Sequence, residues 1–226
     1  MQIRSFIIAY ALVLAILLFA DRRPGSTQQD RYSHVVDLTD GQSATAPRTS
    51  GPESRTRIIA PAALIPGTWS AGQIPAERLV ATLVVIDLNA ADLNATPENT
   101  SQISLDDIAA WESHHGMIPQ GAIVAIRRVS VAAAPSTTLP AQLPIARDAA
   151  EFLIDARQTI GFAVETPVDL TSDRTLARQL ALHGNYVVEG TAPFTALPAT
   201  GSLVIVAPVK NKKPGEVPVR ILAMVR

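Results

Sequence analysis

The stretch IPAERLVATLVVIDL, residues 74–88, decides how the rest of the chain is read. Residues 79–88 form a largely apolar run, rich in β-branched side chains and continuous enough for a buried strand. Residues 104–115 then read as a helix: Ser104 is the N-cap, Asp107 follows three residues on, and Leu105, Ile108, Ala109 and Trp111 share one side. The alternation continues with a strand at 122–127, a helix at 147–157 and a strand at 160–165. A helix at 173–183 comes next, closed by Gly184 as a left-handed cap. Strands at 186–189, 202–208 and 217–225 finish the chain, the last two joined by the basic turn at 210–215. Alternation first and consecutive strands last indicate an α/β fold, a mixed β-sheet domain with packed helices. No internal repeat is visible.

Toward the N-terminus the character changes. Residues 55–80, RTRIIAPAALIPGTWSAGQIPAERLV, read as a site loop with no histidine, no cysteine and a single acid, Glu77. Residues 24–54 are rich in Ser, Thr, Gly, Pro, Gln and Arg and read as linker, with a short strand at 34–39. Residues 1–23 carry Arg4, an apolar run from Ser5 to Ala20, and then Asp21-Arg22-Arg23, the layout of a signal peptide or an N-terminal anchor. As a helix that run reaches about 24 Å, short of a hydrocarbon core of ~30 Å. The bulky Leu18-Phe19-Ala20 is a poor cleavage site, so cleavage and anchoring both stay open. Either way the expectation is an exported protein, periplasmic or anchored facing the extracytoplasmic side.

The net charge of −1 argues against a nucleic-acid partner or an anionic membrane surface. With no cysteine, disulfides, thiol catalysis and Cys-ligated zinc are excluded. The domain at 55–226 is long enough to bury a sizeable core.

Taken together, the segments IPAERLVATLVVIDL, ISLDDIAAWESHHGMIPQGAIVAI, DAAEFLIDARQTIGFAVETPVDL, ALHGNYVVEG and SLVIVAPVK...VPVRILAMV resemble the cyclase family of hydrolases, which includes bacterial kynurenine formamidases. Val35 to Thr39 is similar to the family's opening Asp-Leu-Thr strand. The resemblance implies a kynurenine formamidase-like β/β/α fold, arylformamidase-type hydrolysis by zinc or another divalent metal, and a homo-oligomer. It also implies the ligand signature H-x-G-T-H-x-D-x-P-x-H, with a further His and Glu nearer the C-terminus. Such ligands hold a metal with one position open for a water whose pKa the metal lowers.

Laid on that signature, ESRTRIIAPAA keeps Thr56 and Pro61 and loses the ligands: Glu53, Arg57, Ile59 and Ala63 stand at metal-ligand positions, and Arg55 replaces the glycine. Glu189 occupies the family's glutamate position, while Ala177 stands where the later histidine belongs. No metal and no catalytic residue is therefore expected, and no cofactor. The reading is a catalytically degenerate exported binding or accessory protein with a small-molecule ligand. Two alternatives stay open: an active amide or ester hydrolase rebuilt from Asp37, Glu53, Glu165 or Glu189 with His34, and a structural subunit beside an active relative. Trp69 is a candidate pocket residue together with Arg57 and Glu189, and an Arg57–Glu189 salt bridge is the expected substitute for the metal, with Arg55 or Arg178 as the other cations. His114, His115 and His183 sit in last helical turns, where imidazolium suits the helix dipole. Ser70 lacks a nucleophile elbow, and Trp111 reads as packing.

Overall fold

The computed structural model describes residues 32–40, 56–89, 102–129 and 142–226. The segment at 1–23, most of the linker, Glu53 and Arg55 lie outside the described residues. The chain divides into a unit at 1–33 and a second at 34–226, and the second carries the sheet and its helices.

Among the described residues eight strands form one mixed sheet. In chain order they are β1 (His34–Asp37), β2 (Arg57–Ile59), β3 (Val80–Asn89), β4 (Ile123–Val129), β5 (Gly161–Val164), β6 (Tyr186–Glu189), β7 (Ser202–Pro208) and β8 (Glu216–Val225). The spatial order is β1-β8-β2-β6-β5-β4-β3-β7, and β7 pairs again with β8, so seven strands close into a barrel with β1 attached at the edge of β8. Strands β3, β4, β5 and β6 are mutually parallel. Parallel neighbours need crossovers, supplied by α2 (Leu105–His115), α3 (Arg147–Asp155) and α4 (Arg174–Leu182); a short α1 (Pro61–Leu64) follows β2.

The α/β reading holds, and so do the main elements. The Ser104 amide donates to Asp107 at 2.8 Å while Asp107 N–H donates back to Ser104 Oγ at 3.2 Å, the reciprocal cap that starts α2. The Asp173 carboxylate accepts from the amides of Thr175 and Leu176 to start α4. Gly184 ends that helix at φ 68°, where a side chain would be strained.

Two expectations change. The strand set at 34–39 inside the linker is the shorter β1, and it is hydrogen-bonded to β8, so the sheet takes in residues before 55. The supposed site loop at 55–80 begins as β2, antiparallel to both β6 and β8. Three residues are too few for a periodicity signal, and their partners lie more than a hundred residues away.

The sheet separates two cores. The barrel interior holds Ile58, Leu83, Val85, Ala125, Tyr186, Val188 and Val219. The outer face packs Ile59, Val84, Ile126, Phe162 and Val187 against Ile108, Leu153 and Leu180 of the helices. Because side chains alternate along a strand, each strand residue is assigned to one of these faces. Arg57 and Glu189 fall with Ile59 and Val187 on the outer, helix-bearing face.

Candidate functional site

Arg57 and Glu189 are direct partners across the β2–β6 ladder. Their side chains do not form the expected salt bridge. Arg57 Nε lies 3.4 Å from Glu216 Oε2, at the start of β8, and both side chains are partly exposed. Glu189 is 5% exposed, and its Oε2 accepts from the amide of Val168 at 2.8 Å. Burial pushes its carboxyl above the usual range; the Val168 N–H opposes this, Glu216 adds to it, and Arg57 opposes it through space. The guanidinium has gone to the carboxylate that stands in water, where ion pairing costs less desolvation.

Beyond Glu189 the segment through Val168 leads to Leu170, which lines a cleft of about 520 Å³ between α1 and α4. Ala63 and Ala177 line the same cleft, far apart in sequence but joined by the packing of α1 on α4. Leu64 and Ile65 complete its apolar wall, and Arg174 and Arg178 carry its charge. Ile59 is buried in the outer core. Pro61 opens α1 at its first turn, a position that tolerates a missing N–H. Thr56 is wholly buried, donating to the Gly190 carbonyl at 2.8 Å and accepting from the Asp40 amide at 2.7 Å, which ties the start of β2 to the end of β6.

The other candidates disperse. Trp69 is not in the lining of this cleft; its ring packs over Gly184 and lies 5.6 Å from the Arg78 guanidinium. Ser70 is buried with its hydroxyl on Gln73 Oε1 at 2.8 Å, capping a short 3-10 turn. Trp111 donates its indole N–H to the Val85 carbonyl at 2.9 Å. His34 is exposed on β1 opposite Val225, and Asp37 pairs with Arg220 at 3.0 Å. His114 Nδ1 is 2.7 Å from the Ala110 carbonyl, the His115 ring packs tilted against Trp111, and His183 lies 3.5 Å from Asp155.

Glu165 belongs to the opposite face from Glu189. It follows Gly161 and Ala163 on the barrel side, where its Oε1 accepts from the Phe194 amide at 2.9 Å. Arg127 shares that side, paired with Asp87 through two bonds of 2.5 and 2.9 Å and donating to the carbonyls of Phe194 and Leu197. These groups clamp the 194–197 turn. Glu165 and Glu189, two of the acids considered for a rebuilt hydrolase, therefore lie on opposite faces of the sheet and do not converge.

A divalent metal of the kind the family resemblance implies needs several nitrogen or oxygen donors. Around Glu189 the described residues offer its own carboxylate, already holding an N–H, the Glu216 carboxylate paired with Arg57, and a guanidinium that would repel the ion. These residues do not fit a metal, and among the described residues no group of three or more His, Asp or Glu could hold one.

Comparison with known proteins gives this geometry a family. The sequence model described as "Putative cyclase" matches residues 27–168, more than half of the chain. The chain belongs to the cyclase family. Among solved structures, isatin hydrolase A from Ralstonia solanacearum is 26% identical, with a TM-score of 0.67 over 85% of this chain and 92% of that one. Isatin hydrolase A from Labrenzia aggregata, bound to benzyl benzoate, is also 26% identical, with a TM-score of 0.65 over 85% of this chain and 93% of that one. A "predicted metal-dependent hydrolase" from Bacillus stearothermophilus shares the fold at 22% identity, with a TM-score of 0.56 over 85% of this chain and 98% of that one. A search of curated protein sequences finds no match. The family and the fold are thus those of hydrolases with an isatin hydrolase-like architecture.

The sequence reading missed Arg174 as a site residue and named Arg178 only as a spare cation for Glu189. Their spacing of four on a helix, together with Ala177, was the available signal.

Proposed function

We propose that this chain is a catalytically degenerate cyclase-family protein that binds a small molecule in the α1–α4 cleft and does not carry out metal-dependent hydrolysis. One observation supports this most directly: Ala63 and Ala177, which the family resemblance aligns with metal-binding histidines, face one cleft as methyl groups. Without imidazoles there, no water is activated at that place by the inherited route. Glu189 keeps a structural use instead, satisfying the Val168 amide that would otherwise be buried without a partner. The cleft has the size of ordinary ligand pockets, about 300–1,000 Å³. The reading includes export, on the strength of the Arg4 charge and the Ser5 to Ala20 run.

The test is an assay of the full chain with an aryl formamide, in the presence of zinc or manganese and again with chelator. The expected result is no turnover above the uncatalysed rate. Metal-dependent turnover that chelation removes would overturn the proposal.

A further inference from the structure

The α1–α4 cleft carries charge of one sign. Its lining includes Arg174 and Arg178 and no acidic residue. The two arginines are one helical turn apart, and with Ala177 they occupy positions i, i+3 and i+4, a single face of α4. Both are exposed, and among the described residues neither has an ion-pair partner. The nearby Asp173 is engaged, capping α4 and accepting from Arg147 at 2.9 Å.

Helix stability does not account for this arrangement. Arg174 is the first residue of α4, where the positive end of the helix dipole disfavours a cation. Arg178 adds a like charge on the same face, one turn on. An anion held between the two guanidiniums relieves both unfavourable terms, and the fork of each guanidinium suits a carboxylate. The remaining wall, Ala63, Leu64, Ile65, Leu170 and Ala177, is apolar, and the one polar side chain beside it, Thr171, already donates its hydroxyl to Asp169 at 2.6 Å. It suits an apolar body rather than a sugar or a peptide backbone, whose buried polar groups would be left without partners.

Resting on the ligand-binding reading above, we infer that the cleft takes a small organic carboxylate with an apolar body, its carboxylate on Arg174 and Arg178 and its apolar part against Ala63, Leu64 and Ala177. Alanine at 63 and 177 leaves the space that the apolar part fills.

The test uses 2-naphthoate and its neutral isostere 2-naphthamide as probes, titrated calorimetrically into the full chain. The expected result is that naphthoate binds at least about tenfold tighter than naphthamide, and that added salt narrows the difference. The double substitution Arg174→Ala/Arg178→Ala removes the preference, weakening naphthoate far more than naphthamide; both side chains are exposed, so the fold survives. Ala177→Phe fills the cleft and weakens both probes. Equal affinity for the two probes, both blocked by Ala177→Phe, would overturn the carboxylate assignment while leaving the ligand-binding reading standing. A preference that survives the double substitution, or no binding of either probe, also overturns the inference. Formamide turnover by the metal-supplemented chain is the separate result that overturns the underlying reading.

Discussion

Arg57 and Glu189 face each other across the β2–β6 ladder, yet their charges are satisfied elsewhere, Arg57 by Glu216 at 3.4 Å and Glu189 by the Val168 amide at 2.8 Å. Backbone register brought the pair together as the sequence implies; side-chain reach and solvent then separated them. A long guanidinium at a strand end has several acceptors within range, and the half-exposed one costs less to pair than the buried one.

Arg57→Ala should therefore cost about 1 kcal/mol or less, the ordinary value of a partly exposed ion pair. Urea denaturation of the variant beside the wild type measures this. A loss of about 3–5 kcal/mol would mean that Arg57 neutralises a buried carboxylate after all.

Glu189→Gln removes a charge and keeps an oxygen able to accept the Val168 N–H. Burial raises the folded-state pKa of Glu189, so the folded chain holds this proton to higher pH than the unfolded chain does. The associated stability is full below the unfolded value of about 4.3 and is lost as pH rises through the raised folded value. Burial raises Glu165 in the same direction. At neutral pH Glu189→Gln should be as stable as the wild type or more so, and its stability should fall less between acid and neutral pH. Denaturation curves across that range check it; a variant markedly less stable at neutral pH contradicts it.

Arg127 holds Asp87 through two bonds and the carbonyls of Phe194 and Leu197 through two more. Arg127→Ala should destabilise the chain by about 2–3 kcal/mol, the scale of losing charge-assisted bonds at a partly buried site. Faster hydrogen exchange at the amides of the 194–197 turn should accompany the loss. A variant as stable as the wild type, with unchanged exchange in that turn, would show that the clamp contributes nothing.

Gly184 has φ 68°, and a methyl group there would lie 2.7 Å from Trp69 Cζ3. Gly184→Ala should cost about 1–3 kcal/mol, combining left-handed strain with a displaced indole. Trp69 fluorescence should shift as the ring leaves Arg78. Unchanged emission with unchanged stability would show that the ring does not need this contact.

The chain's elements were legible wherever a local signal existed: the reciprocal cap of Ser104 and Asp107, the left-handed Gly184, the β-branched run of β3. Pairings between distant segments were not. Arg57–Ile59 joins the sheet because Val217 and Val188 flank Ile58 on either side, and no local pattern marks a three-residue strand. At the site, residue types showed which donors were missing, and the direction in which each surviving side chain turned was set by neighbours far along the chain. Glu216 drew Arg57 away, Val168 fixed Glu189, and Gly184 with Arg78 held Trp69. Arg174 and Arg178 were readable as a pair on one helix face, but their meaning depended on α1 packing opposite them.

Degenerate chemistry requires that the residues around Glu189 do not form a metal site. Elemental analysis of the purified full chain, loaded with zinc or manganese and then dialysed against metal-free buffer, tests this most directly. A buried carboxylate already holding an N–H, with the neighbouring Glu216 paired to a guanidinium, retains no ion through dialysis, so metal far below one per chain is the expected result. One zinc or manganese per chain, lost on Glu189→Ala, would contradict it.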